Sequence, residues 1–116
     1  MVLWSGFDLQ AEIEAGADGN STALHYAASY GKDAVAAQLL QAGASVSAVD
    51  NVDSSRPLHY AAFNGQSSIA NLLLQANASP TAVDKDGDTP AQYAKQRGHG
   101  DLAARLLEAE QAAALK

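Results

Sequence analysis

One phrase is written three times in this chain at near-constant spacing. It opens as TALHYAASYG from Thr22 to Gly31, returns as RPLHYAAFNG from Arg56 to Gly65, and decays into TPAQYAKQRG from Thr89 to Gly98. The offsets are 34 residues, Leu24 to Leu58, and 33 residues, Pro57 to Pro90. A period of this size marks a stacked-repeat architecture. It also moves the functional question, because stacked repeats present a long binding surface in place of a single catalytic pocket.

Composition narrows the class. The 116 residues suffice for one domain, and 47% apolar residues are too many for a disordered chain. No apolar run reaches the roughly 18–20 residues of a membrane span. No basic stretch precedes an apolar one in the manner of a signal peptide, so a cytoplasmic or nuclear location is the default expectation. The absence of cysteine excludes disulfides and thiolate metal sites. The net charge of −6 is uneven: residues 1–50 hold six acids and one base, the remainder seven acids and six bases. An acidic field repels phosphate backbones, so no nucleic-acid partner is expected. Such a field either steers a basic partner surface toward the N-terminal half or serves only as a solvated face.

Each unit reads as helix, short turn, helix and long loop. In the first unit Thr22 is a good N-cap. Leu24, Ala27 and Ala28 make a narrow apolar stripe whose alanines let neighbouring helices approach. Gly31 ends that helix. A second helix is predicted from about Asp33 to Gln41, with Val35, Leu39 and Leu40 on its buried face, and Gly43 ends it. The second unit repeats the plan with Pro57 at the first helical position, then Leu58, Ala61, Ala62, Gly65, Ile69, Leu73 and Leu74. Asn77 stands where Gly43 stood, as the next best residue for a left-handed cap. The third unit supplies Thr89, Pro90, Ala94, Gly98, Leu102, Leu106 and Leu107.

These residues resemble the ankyrin repeat, whose unit reads roughly D-x-x-G-x-T-P-L-H-x-A-A-x-x-G-H-x-x-x-V-x-x-L-L-x-x-G-A-D. Leu58-His59, Ala61-Ala62, Gly65, Ile69, Leu73-Leu74 and Ala78 fall in register with it. The resemblance covers about residues 17–109. It implies an all-α ankyrin-repeat solenoid of stacked antiparallel helix pairs with short β-hairpin loops, acting by binding other proteins.

The ends depart from the pattern as ends should. Leu3, Phe7 and Ala11, with Leu9 and Ile13, predict one N-terminal cap helix over residues 1–16, with Glu12 and Glu14 facing water. Trp4 either plugs the end of the core or anchors a partner. Repeats are then expected over 17–49, 50–83 and 84–109, the last as a capping repeat, with a helical tail over 110–116. At the third unit Lys95 replaces the alanine of the earlier two, which would be costly to bury against a further repeat. The junction before the second unit is one residue longer than the next and reads DSSR, where the family has a glycine and then a threonine, so an irregular tip is expected.

Little else carries chemistry. His25 and His59 occupy the histidine of the ankyrin phrase, where the resemblance implies hydrogen bonds to backbone near the adjacent hairpin. Lying one repeat apart, about 10 Å, they are too far from each other to share a metal held at about 2 Å per bond. His99 is also read as structural. Asp84, Asp86 and Asp88 imitate the start of a calcium loop, but Gly87 and Lys95 stand at the wrong positions for one. No phosphate-binding glycine motif, nucleophile elbow or cysteine nucleophile is present. No catalytic residue, metal or cofactor is therefore expected. Tyr26, Tyr60 and Tyr93 form an aligned column read as repeat packing, with hydroxyls at the surface.

The resemblance places a partner on the hairpin tips and the exposed ends of the first helices. Those positions are Ser29 and Tyr30 in the first unit; Asn51, Val52, Ser55, Phe63 and Asn64 in the second; and Lys85, Asp86, Asp88, Gln96 and Arg97 in the third. Tyr30, Phe63 and Arg97 should line up across the stack, and aromatics and arginine are the types that most often dominate interface energy. Phe63 could instead fold over a neighbouring helix. The expected function is a monomeric, non-enzymatic scaffold or adaptor. The alternative is a regulatory subunit that inhibits an enzyme or a nucleic-acid-binding partner.

Overall fold

The computed structural model describes residues 23–49 and 54–114. The expected cap helix with Trp4, the N-cap Thr22 and the loop residues Asn51 and Val52 lie outside them. The described residues form six α-helices and no strand: α1 Ala23–Tyr30, α2 Asp33–Gln41, α3 Pro57–Phe63, α4 Ser67–Gln75, α5 Pro90–Gln96 and α6 Gly100–Ala114. They pair as α1 with α2, α3 with α4 and α5 with α6. The first helices pack in series, α1 on α3 and α3 on α5, and α2 packs on α4.

The contact between first helices is made by small side chains. Ala27, Ala28, Ala61, Ala62 and Ala94 have no exposed surface, and their size lets the helix axes approach. Leu24 and Leu58 fill the space below, and Leu39, Ile69, Leu73 and Leu106 form the second layer. Burial of each such leucine or isoleucine contributes about 1.5–3 kcal/mol. On α2, Ala36 is buried beside Leu39, whereas Val35 and Leu40, both expected on the buried face, are only partly covered. A short helix packed on two neighbours buries a strip narrower than its apolar set.

Each helix pair turns by the same hydrogen bond. The amides of Lys32, Gln66 and His99 reach back to the carbonyls of Ala27, Ala61 and Ala94, at 3.0, 2.8 and 2.8 Å. The residue after the turn also links units. Gln66 Nε2 donates to Ser29 O at 3.4 Å, and His99 Nε2 donates to Phe63 O at 3.2 Å. Each thereby satisfies a carbonyl left open at the end of the preceding first helix. Asn77 does adopt the left-handed conformation expected of it, with φ 73°.

The helix starts differ. Thr89 and Gln92 exchange bonds at the start of α5: Thr89 Oγ1 accepts from Gln92 N at 3.3 Å, and Gln92 Oε1 accepts from Thr89 N at 2.7 Å. At the start of α3 the cap position holds Arg56, which has no acceptor to offer. One half of the exchange survives there, with His59 Nδ1 accepting from Arg56 N at 3.0 Å. The Arg56 guanidinium turns instead to the preceding loop and donates to Ser47 O at 3.1 Å.

Candidate protein-binding surface

The loop before α5 is shaped by one buried carboxylate. Asp84 Oδ1 accepts from the amides of Asp86 and Asp88 at 2.9 and 3.0 Å, and Oδ2 accepts from the Tyr93 hydroxyl. Backbone bonds from Asp84 N to Asp88 O and from Gly87 N to Asp84 O close the turn. Burial opposes ionisation of Asp84, but the Tyr93 hydroxyl and the Asp88 and Asp86 amides outweigh it and hold its pKa below the ordinary value. The expectation of a surface hydroxyl on Tyr93 is thereby corrected: the oxygen points inward to Asp84.

Histidines tie each first helix to the loop of the next unit. His25 Nε2 donates to Ser55 O and His59 Nε2 to Asp88 O, each at 3.0 Å. The rings of the following tyrosines stand edge-on to these imidazoles, with centroids 5.2 Å apart for His25 and Tyr60 and 5.7 Å for His59 and Tyr93. Burial lowers the His59 pKa, more than the Asp88 carbonyl and the Asp84 charge raise it. With both ring nitrogens of His59 engaged, its role is to position the loop.

The structure brings several of the expected partner-facing residues together. Asn64 Nδ2 lies 3.4 Å from Ser29 Oγ, joining the first and second units. Arg97 lays its guanidinium 4.6 Å from the centroid of the Phe63 ring, and the Tyr93 ring meets Phe63 edge-on at 5.9 Å. Phe63 thus reaches over α5 and still keeps 41% of its surface exposed. Tyr30 is 63% exposed and packs against Tyr26, 4.7 Å away between centroids. Lys85, Asp86, Gln96 and Arg97 are exposed and Asp88 is half-buried.

Ser55 requires a correction. It is 4% exposed, so its side chain is not offered to a partner, and its carbonyl receives His25. The cause is the residue before it: Ser54 takes a left-handed φ of 61°, as Gly87 does at the matching position of the next loop with 81°. Ser54 therefore occupies the place of the family's turn glycine, and the chain turns inward there despite the DSSR sequence.

A pocket of about 160 Å³ opens between the second and third units, lined by Ser55, His59, Tyr60, Phe63 and Tyr93. Its lining is mainly aromatic rings, with His59 among them. Asp84, Asp86 and Asp88 bring carboxylate oxygens within 4.8 Å of one another, but the two Asp84 oxygens already accept three hydrogen bonds, two from loop amides and one from Tyr93 on α5. Among the described residues no helix is long and apolar enough to cross a membrane.

Comparison with known proteins agrees with this geometry. A family model described as ankyrin repeats in three copies matches residues 4–84 and 58–115. No curated protein matches the chain. Ankyrin repeats are modules of protein–protein interaction, a role suited to an exposed ridge of aromatic and charged side chains on a rigid stack. With the threefold phrase, the paired helices and the family match in agreement, the chain belongs to the ankyrin-repeat family.

Proposed function

We propose that this chain is a scaffold or adaptor: a single solenoid of antiparallel helix pairs that binds another protein through the ends of its first helices and its loop tips. The observation that supports the reading is the set of exposed Tyr30, Phe63 and Arg97 at matched or nearly matched positions of successive units, with Phe63 and Arg97 in contact. Tyrosine and arginine are among the side chains that most often anchor interfaces. The backbone beneath them is fixed by the histidine latches and the Asp84 turn, so little ordering entropy is lost on binding. The chain is proposed to act as a monomer in the cytoplasm or nucleus, with its acidic N-terminal half facing basic groups of the partner.

A photo-crosslinking amino acid at position 30 tests this, with one at Gln41, at the exposed end of α2, as control. A protein captured from position 30 and absent from position 41 supports the reading, and equal capture from both sinks it. Whether the captured protein loses its own activity on binding separates an adaptor from an inhibitory subunit.

A further inference from the structure

We infer that Asn64 is a modification site: a self-deamidating asparagine that the folded stack holds unreactive and that reacts once the second unit opens. Asn64–Gly65 is the one Asn-Gly step in the chain. Glycine has no Cβ to shield its nitrogen, and its free backbone lets that nitrogen reach the side chain before it. The Gly65 amide gives its proton to solvent, and its nitrogen attacks Asn64 Cγ. The new N–Cγ bond closes a five-membered imide, and Nδ2, taking a proton from solvent, leaves as ammonia. Water then opens the ring at either carbonyl. Breaking the N–Cγ bond leaves aspartate. Breaking the original peptide bond leaves isoaspartate, with the chain now running through Cγ. The balance is one amide and one water giving one carboxylic acid and one ammonia, with no oxidation.

The fold keeps the ring from closing. Asn64 caps the C-terminal end of α3 with ψ 4°. Around the Cα–C bond, Cβ stands a third of a turn from the residue's own nitrogen, so a ψ near zero leaves Gly65 N a third of a turn from Cβ. Ring closure needs the two nearly eclipsed. The Gly65 amide is engaged, donating to Ala62 O at 3.3 Å. The side chain is engaged as well: Nδ2 donates to Tyr60 O at 3.1 Å and lies 3.4 Å from Ser29 Oγ of the first unit. From the third unit, His99 donates to Phe63 O at 3.2 Å and covers Gly65, where a Cβ would meet its Cε1 at 2.8 Å. Closing the ring turns the Asn64–Gly65 peptide, so the packed imidazole must move first, by a local opening short of global unfolding. The reaction then fixes the opening. A carboxylate at this position has no donor for Tyr60 O. Isoaspartate adds a backbone carbon to the turn that Gln66 N closes on Ala61 O at 2.8 Å. Asn64 is exposed, so water is at hand for the second step.

Peptide mapping by mass spectrometry reads the reaction, since a hydroxyl in place of an amino group changes the mass of the peptide that holds Asn64. The full chain is incubated in neutral buffer, folded and unfolded in urea. In urea, Asn64 should convert faster than the other asparagines of the same chain, and Gly65→Ala should remove that lead, a comparison that no folding defect can disturb. In the folded chain its conversion should be slower than in urea. His99→Ala, shown by circular dichroism to be folded, should raise the folded rate about two- to tenfold, the loss of one hydrogen bond expressed as opening. His99→Gln should stay near the parent rate, because an amide at this place can reach the carbonyl ahead of it, as Gln66 Nε2 reaches Ser29 O at 3.4 Å. Should His99→Ala not fold, the parent in urea below its unfolding midpoint replaces it, where conversion of Asn64 should rise ahead of global unfolding. An Asn64 no faster than the other asparagines in urea would overturn the site. Equal rates in the folded and unfolded chain, an unchanged rate in folded His99→Ala, or conversion that only tracks global unfolding would overturn the protection.

Discussion

His59 donates its Nε2 proton to the carbonyl oxygen of Asp88, 3.0 Å away in the loop of the next unit. It does so as one defined tautomer, because Nδ1 accepts from the Arg56 amide at 3.0 Å. The ring therefore works in its neutral form, and protonation at Nδ1 would turn the Arg56 contact from a hydrogen bond into an opposition of two donors.

A pH dependence follows. The His59 pKa in the folded chain lies below its ordinary 6.5 because of burial, so the unfolded chain binds the extra proton first. The stabilisation from His59 is complete above about pH 6.5 and is lost as the pH falls from there through the folded value. Denaturant unfolding at pH 7.5 and 5.5 should show the loss. His59→Gln should cost about 1–3 kcal/mol at pH 7.5, with a smaller difference from the parent at pH 5.5. A difference that stays constant with pH would contradict the tautomer assignment.

Tyr93→Phe removes one of the donors that keep Asp84 ionised while buried. It should destabilise the chain by about 1–2 kcal/mol. The Asp84 contribution is present above the ordinary carboxylate pKa of 3.8 and is lost as the pH falls through the lower folded value. Without the Tyr93 hydroxyl the folded value rises, so acid unfolding should begin at higher pH in the variant. An unchanged acid midpoint would mean that the two loop amides alone hold the carboxylate.

Ser54→Gly should stabilise the chain. Ser54 holds φ at 61°, which costs a side-chain-bearing residue about 1–2 kcal/mol, against about 0.5–1 kcal/mol of extra backbone entropy lost by glycine. A net gain of about 0.5–1 kcal/mol is expected from these two terms. Thermal unfolding reads it directly, and a lower midpoint would contradict the assigned backbone.

Gly65 and Gly98 are equivalent in φ, at 70° and 82°, but not in surroundings. A Cβ on Gly65 would lie 2.8 Å from His99 Cε1, whereas one on Gly98 meets nothing within 4 Å. Both alanine variants should lose about 1 kcal/mol from the backbone, and Gly65→Ala should lose more. Adding His99→Ala to Gly65→Ala should recover part of that excess. Equal losses in the two single variants would argue against the His99 contact.

Much of this was legible in the chain. The period fixed the helix pairs, and apolar spacing placed α2 at Asp33–Gln41, where it lies. Asn77 was readable as a left-handed cap because few side chains tolerate that conformation. The histidine bonds to the loops were implied by the family resemblance. What escaped was decided by irregular backbone. Whether Ser55 faces in or out depends on φ at Ser54, and no helical or strand period encodes it. The Asp84–Tyr93 bond forms only when the loop folds back on the helix that follows it, and the reach of Gln66 to Ser29 joins residues whose contact exists only once units stack. The pocket was invisible for the same reason, since its walls come from two units.

Tyr30, Phe63 and Arg97 are proposed to bind another protein. The most direct measurement is affinity capture with the intact chain beside a Tyr30→Ala, Phe63→Ala, Arg97→Ala variant, both shown by circular dichroism to be folded. A protein retained by the intact chain and lost by the folded variant is the expected result. A protein retained equally by both would contradict it and move the binding site to another face of the stack.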